Sequence, residues 1–358
     1  MCEQGKAIKM GIVGCGRGTS NIHLPALALV PRLRVVAVAD TDPTAVSRVA
    51  HSFGIERRYT DYRQLLDHAD VEAVAVVTPP GTHAEIGSAA LRAGKHVFIE
   101  KPLALTREEC DLLIHTAANS TGKVLVGLNF RWHRLVREAR AMIRRGDLGR
   151  LKAIRSVYTH WHPGTTAQPW HKSRALGGGV MLNDGVHHFD LWRFLLDTEI
   201  VQVQAHCQPS EHFKDDTCTV SARLGNGMLA SAVHSFTTSP NSELEIFGEA
   251  GRLLLSLYRF DGLEFYSNTA YPGSMKTRLL GIAGTIRELP QALAAVHRGG
   301  DFDATYGMMW SHFADCIIRG TPPACTLDDG KKALDVAIAA LESASPSRFA
   351  SAPSSEWH

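Results

Sequence analysis

The stretch Gly11-Ile12-Val13-Gly14-Cys15-Gly16-Arg17-Gly18 decides how this chain is read. It continues the apolar run Met10–Val13 and precedes a helix-period segment, the context in which a glycine-rich turn holds a dinucleotide. Gly14 permits a tight turn, Gly16 carries no side chain to obstruct a pyrophosphate, and the backbone amides through Arg17 and Gly18 can face it. A strict G-x-G-x-x-G begun at Gly14 needs Gly or Ala at position 19, where Thr19 stands. Asp40 ends the next apolar run, about 24 residues beyond Gly16, where a carboxylate accepts hydrogen bonds from an adenosine ribose and repels a 2′-phosphate. NAD is therefore expected over NADP, although Asp40 could instead only cap the helix that starts at residue 43. Asp42, followed by Pro43, reads as the N-cap of that helix.

Outward from this loop, residues 8 to 128 alternate short continuous apolar runs with helix-period segments. The runs Val35–Ala39, Ala73–Val77, Val97–Ile99 and Val124–Leu128 show no polar alternation, the signature of strands covered on both faces in a parallel sheet. Gly54 reads as a helix stop and Thr106-x-x-Glu109 as a capping box. Residues 1–128 are thus expected to form a doubly wound dinucleotide-binding domain. Beyond residue 150 the period changes. Thr217–Leu224 alternates cleanly and runs through Gly225-Asn226-Gly227 into Met228–Phe236, a hairpin. Ile200–Cys207, Ser242–Phe247 and Arg252–Leu257 read as further strands of a mostly antiparallel sheet, Thr305–Arg319 and Asp328–Ser343 as helices, and 268–300 as a loop followed by a helix. The fold class is α/β plus α+β: a parallel Rossmann sheet, a second α+β domain over 129–350, and a polar tail, 351–358.

Composition narrows the partners. Apolar residues make up 44% and charged residues 21% of 358, which excludes disordered, collagen-like and coiled-coil chains. The net charge of +2, with signs intermixed, offers no basic stripe for nucleic acid or membrane. Seven cysteines, odd in number and without C-x-x-C spacing, suit reduced thiols in a cytosol and form no legible zinc site. Met1–Lys9 lacks an apolar signal core and no run approaches membrane-span length, so a soluble, cytoplasmic protein is expected. No Gly-x-x-x-x-Gly-Lys and no Tyr-x-x-x-Lys occurs, which removes P-loop and short-chain dehydrogenase chemistry.

Three further segments carry chemistry. Val97-Phe98-Ile99-Glu100-Lys101-Pro102 puts a charged pair at the carboxyl end of an apolar strand, where open parallel sheets present ligands. Thr78-Pro79-Pro80-Gly81-Thr82-His83 lies on the same edge. Gly177-Gly178-Gly179 leads into Asn183-Asp184-Gly185-Val186-His187-His188-Phe189-Asp190. On a helix Asn183, His187 and Asp190 share one face, with Asp184 and His188 about 100° away, and spacing alone leaves the two registers open.

With these four motifs in order, the chain resembles the Gfo/Idh/MocA oxidoreductases over nearly its whole length. The resemblance selects the first register. It implies Lys101 as the catalytic lysine, His187 as the histidine that handles the substrate proton, and Asn183 where the family commonly carries Asp, so the usual carboxylate is missing. It also implies cofactor contacts from Gly14, Gly16, Arg17, Gly18, Asp40, Thr78, Pro79, His83, Glu100 and Lys101. The expected reaction is hydride transfer between NAD and a secondary alcohol or ketone of a sugar, glycoside, cyclitol or sugar nucleotide. A redox-neutral enzyme recycling bound NAD and a non-catalytic sensor are the rivals. Arg131, Trp170, Lys172 and Arg174, with Asn183 and His187, are the expected substrate contacts, with His133 nearby; His171 and Trp132 read as surface or packing residues. His160 and His162 share a strand face, too few ligands for zinc, and no metal is expected. A homodimer or homotetramer through the second sheet's open face is expected, since an uncovered sheet would expose a large patch.

Overall fold

The computed structural model describes residues 7–271, 274–296 and 300–344. The 351–358 tail lies outside them. In the first lobe the chain runs β1 (Ile8–Val13), α1 (Leu24–Ala28), β2 (Leu33–Ala39), α2 (Pro43–Phe53), β3 (Arg57–Tyr59), α3 (Tyr62–Leu66), β4 (Ala73–Val76), α4 (His83–Arg92), β5 (His96–Ile99), α5 (Arg107–Ala118) and β6 (Val124–Val126). The strands form one parallel sheet ordered β3-β2-β1-β4-β5-β6. Ala73–Val76 and Val97–Ile99 are wholly buried, as continuous apolar runs require. The order reverses beside β1, so a crevice opens at the carboxyl ends of β1 and β4. Asp42 caps α2 by accepting from the Thr44 amide, Gly54 ends that helix, and Thr106 with Glu109 forms the capping box of α5. The short, polar edge strand β3 carries no apolar run and is not legible in sequence.

The second lobe contains α6 (Arg134–Arg145), β7 (Leu151–Trp161), α7 (Val186–Leu196), β8 (Ile200–Gln208), β9 (Thr217–Leu224), β10 (Leu229–Ser235), β11 (Thr237–Gly248), β12 (Gly251–Ser256), β13 (Leu263–Ser267), α8 (Met275–Val296), α9 (Gly300–Arg319) and α10 (Leu327–Ser343). Its sheet runs β13-β12-β11-β7-β10-β9-β8, antiparallel except where β7 and β10 pair in parallel. The 225–227 hairpin stands as expected, whereas β13, and β7 before His160, are additions to the strands read from sequence. α9 and α10 return to the first lobe. Trp310 packs 4.2 Å from Phe98, Arg32 pairs with Asp315 at 2.5 Å, and the Val126 amide donates to the Cys325 carbonyl at 3.0 Å.

One expectation changes here. Cys207 and Cys218 stand opposite one another on β8 and β9 and form a disulfide, so reduced thiols throughout do not hold; Cys15, Cys110, Cys316 and Cys325 are free and buried. A period-two register places both sulfurs on one sheet face, which scattered sequence positions do not reveal. On the outer sheet face Thr219, Ser221, Arg223 and Ser231 are exposed beside the apolar Leu229 and Val233.

Candidate active site

The glycine turn sits at the end of β1, on the crevice. Gly14 has φ +101°, and a Cβ there would lie 2.2 Å from the Val77 carbonyl oxygen and 3.1 Å from the Thr78 methyl, so the turn abuts the Thr78 loop. Thr19 is buried, and its hydroxyl donates to the Gly14 carbonyl at 2.6 Å, closing the turn from inside. A Cβ on Gly16 would meet nothing within 4 Å, which leaves open space above the loop amides. Gly16 and Arg17 are exposed. Asp40 accepts from the Cys15 amide at 2.6 Å and the Asp42 amide at 2.9 Å, which fixes its carboxylate beside the turn. These residues fit a dinucleotide: amides and space for the pyrophosphate, and an acidic group at the ribose end.

Three predicted cofactor residues act within the protein. His83 is buried, its Nδ1 2.8 Å from the Pro102 carbonyl oxygen and its Nε2 2.9 Å from that of Thr78, so it ties together the loops after β4 and β5. Thr78 also accepts from the Thr82 hydroxyl at 2.7 Å. The Glu100 carboxylate pairs with His23 at 3.1 Å and accepts from the Lys101 amide at 3.0 Å. Burial would raise its pKa, but His23 and Lys101 outweigh that and hold it below the usual carboxylate range. Pro79 lies in the loop that precedes His83.

Lys101 reaches across the lobes. Its ammonium donates to the Asn183 backbone carbonyl at 3.0 Å. Asn183 belongs to a π-helical turn, Met181–Gly185, that enters α7. Such a turn fits more residues per revolution than an α-helix, so the face arithmetic of a regular helix fails across it. Gly177, with φ +89°, permits the approach of this segment to the first lobe: a Cβ there would stand 2.7 Å from Pro80.

His187 follows on α7, stacked on Phe130 at 4.3 Å and edge-on to Tyr158 at 6.3 Å. Its Nδ1 is buried without a partner; Nε2 is not sealed in that way. Burial, then the Lys101 ammonium, then His188 hold the imidazole well below its ordinary pKa, so it is neutral at neutral pH.

The rival register divides. His188 is fully buried, stacked on Tyr158 at 5.2 Å and edge-on to His234. Asp184 instead turns toward β7, its Oδ2 3.3 Å from His160 Nδ1 but not aligned for a hydrogen bond. Burial pushes the Asp184 carboxyl up to about 7 against the pull of Lys101 and His162. A carboxylate that titrates near neutrality is therefore present one residue after Asn183. Sequence periodicity could raise Asp184 as a candidate but could not rank it, because the deciding feature is the π-turn.

A row of imidazoles leads away from Asp184. His160 and His162 have ring centroids 6.3 Å apart, His162 and His171 5.3 Å, and His171 stacks on Trp170 at 3.6 Å. Burial pushes His160 and His171 down to about 4. His171, read as a packing or surface residue, thus joins the cleft; Lys172 follows it. Among the described residues no group of three such side chains is arranged to hold a metal ion.

Arg131 is a correction. Its guanidinium is buried, with Nε donating to Asp190 Oδ2 at 2.7 Å, a second contact to Asp190 Oδ1, and Nη1 donating to the Ala324 carbonyl and to Asp329. Its donors are consumed in tying α7 to α10, and Asp190 faces this network rather than sharing the His187 face. Arg174 is tethered to Asp215 at 3.1 Å, a buried carboxylate that also accepts from the Met181 amide. His133 is buried, caps α6 through the Leu135 amide and contacts the Leu257 carbonyl. Trp132 packs beside His312.

Residues 8–128 match a family described as "Oxidoreductase family, NAD-binding Rossmann fold", and residues 136–254 match "GFO/IDH/MocA C-terminal domain". The chain is 31% identical over 254 residues to a dTDP-3,4-didehydro-2,6-dideoxy-alpha-D-glucose 3-reductase of Saccharopolyspora spinosa, covering 70% of this chain and 75% of that protein. It is 26% identical over 348 residues to a myo-inositol 2-dehydrogenase of Thermotoga maritima, covering 94% and 96%. The WlbA dehydrogenase of Bordetella pertussis, solved with NADH and UDP-GlcNAcA, shares the fold with a TM-score of 0.81 at 21% identity, covering 95% of this chain and 96% of that one.

Proposed function

The chain belongs to the GFO/IDH/MocA family of NAD-binding oxidoreductases, and from that premise we propose that it transfers a hydride between nicotinamide and a secondary alcohol or ketone of a sugar, glycoside, cyclitol or sugar nucleotide. The carrying observation is the Lys101 ammonium, from the first lobe, 3.0 Å from the Asn183 carbonyl on the turn that enters the His187 helix. When bound, the nicotinamide accepts or gives the hydride. Gly14, Gly16, Arg17 and Gly18 cradle the pyrophosphate and Asp40 takes the ribose; Thr78, Pro79, His83 and Glu100 shape the loops beside them.

Lys101 faces the carbinol oxygen and stabilises developing alkoxide charge. His187, neutral before reaction, takes the hydroxyl proton at Nε2. Asp184 supplies the carboxylate that Asn183 does not: with a pKa near 7 it takes up or releases a proton beside Lys101 at physiological pH. The Asn183 side-chain amide, together with Trp170 and Lys172, orients substrate hydroxyls, with Arg174 at the margin. A cytoplasmic location and a homo-oligomer belong to the same proposal. The test is a panel of polyols, sugars and glycosides with NAD and NADP in parallel. NADH should accumulate with the best substrate, and product formation without it would favour internal recycling. Lys101→Ala and His187→Ala should each lower kcat at least ~100-fold while NAD still binds by calorimetry; near-normal turnover in either removes that residue from the mechanism.

A further inference from the structure

Asp215, in the connection between β8 and β9, is wholly buried and spends its two carboxylate oxygens on two different segments. Oδ1 accepts from Arg174 Nε at 3.1 Å, on the segment that carries Trp170, His171 and Lys172. Oδ2 accepts from the Met181 amide at 3.1 Å, at the start of the π-turn, and the Asp215 backbone carbonyl accepts from the Val180 amide at 3.0 Å. The first amides of a helical turn find no partner within it, and Val180 caps this one with no side chain. Asp215, 34 residues away, does so instead. The neighbouring Phe213, also buried, lies edge-on to His162 at 5.7 Å, so the same connection backs the row of imidazoles. Between Arg174 and Met181 the chain is packed and has no slack. A Cβ on Gly178 would stand 2.2 Å from the His171 carbonyl oxygen and one on Gly179 2.0 Å from the Asp215 carboxylate, while Gly177 abuts Pro80 of the first lobe.

We propose that Asp215 is a positioning residue for hydride transfer: one oxygen of its carboxylate fixes the turn that presents Asn183 and Asp184 beside Lys101, and the other fixes the segment that meets the substrate. The inference rests on the hydride-transfer reading above. The Asn183 carbonyl that anchors the Lys101 ammonium at 3.0 Å stands two residues beyond the Met181 amide, so the amide cannot move without moving the anchor. A displacement of about 1 Å in such an arrangement costs roughly 100-fold in turnover. The two oxygens also divide the work in a way that substitution can separate. An asparagine at 215 has one oxygen to give. The Met181 amide keeps it, because Met181 is fully buried and has no water to turn to, whereas Arg174 is 43% exposed and is released to solvent. An alanine serves neither.

The experiment compares wild type, Asp215→Asn and Asp215→Ala as full chains: steady-state kinetics with NAD and the best substrate of the panel, and hydrogen exchange of the 180–186 segment without substrate. In Asp215→Asn, KM for the carbohydrate is expected to rise at least ~5-fold with kcat within ~3-fold of wild type. In Asp215→Ala, kcat is expected to fall ~100-fold and the segment to exchange at least ~10-fold faster, while in Asp215→Asn its exchange stays as in wild type. NAD affinity by calorimetry stays unchanged in both, because the first lobe is untouched. An Asp215→Ala kcat within ~3-fold of wild type overturns the proposal, as does a kcat that falls equally in both variants or an unchanged KM in Asp215→Asn. If Asp215→Ala does not fold, the kinetics of Asp215→Asn decide alone. A wild type that turns over no substrate of the panel removes the hydride-transfer reading instead. The exchange difference between the two variants then still tells whether Asp215 holds the turn, and equal exchange in both would show that it does not.

Discussion

Replacing Asp184 by asparagine should make the folded protein less sensitive to alkali. The Asp184 carboxyl, ordinarily near 3.8, is pushed up to about 7 by burial in the folded chain, despite Lys101 and His162. The fold therefore holds this proton more tightly than the unfolded chain does. Stability from the protonated carboxyl is present below the unfolded pKa and is lost as pH rises from about 4 through 7. The gap corresponds to ~4 kcal/mol between those limits, an upper value because water entry and side-chain relaxation soften burial costs. The amide of the Asp184→Asn variant would be uncharged throughout and nearly the same shape, so titrations that do not feel Asp184 cancel when the two proteins are compared, and the response of His162, which the carboxylate raises, remains as a smaller contribution. Urea midpoints taken between pH 4.5 and 8.5 should show the variant gaining on wild type as pH rises, by up to ~3 kcal/mol, since part of the gap is already spent at pH 4.5. In protein labelled with ¹³C at aspartate carboxyls, one resonance titrating near pH 7 should vanish in the variant. A stability difference independent of pH, together with no aspartate titrating above about 5, would refute the buried, protonated carboxyl and with it the proton role given to Asp184.

Arg131→Ala leaves buried Asp190 with only the more distant Arg193, at 3.8 Å, and should cost ~3 kcal/mol in urea unfolding; a raised KM with unchanged stability would instead return Arg131 to the substrate site. Gly14→Ala should destabilise the first lobe by at least ~2 kcal/mol, because its Cβ would meet the Val77 carbonyl at 2.2 Å. Gly16→Ala, facing open space, should stay within ~0.5 kcal/mol of wild type yet weaken NAD binding, as calorimetry would read. Asp40→Ser should raise the kcat/KM ratio of NADP to NAD at least ~10-fold, and an unchanged ratio would mean that Asp40 serves only the Cys15 and Asp42 amides.

Much of the site was legible because its parts are local. The glycine turn, the strand that ends at Lys101 and the capped helices each rest on spacing within a dozen residues, and all stand where the pattern puts them. Arg131 misled for a physical reason: a guanidinium beside a strand's functional end looks available until the fold brings Asp190 and Asp329 to it from 59 and 198 residues away. The partner of Glu100 was hidden for the same reason, since His23 lies in another turn of the first lobe.

The amino-acid order by itself determined the two sheets, the dinucleotide turn and the place of Lys101 at the carboxyl end of a strand, because apolar periodicity and backbone freedom act over short distances; it left the registers of His187 and His188 open. Only the tertiary structure decided which neighbours a side chain keeps. Asp184, on the π-turn at Met181–Gly185, comes within 3.3 Å of His160, and burial then sets its proton affinity. Desolvation and pairing are sums over groups that the chain brings together from far apart, so they come into being with the fold.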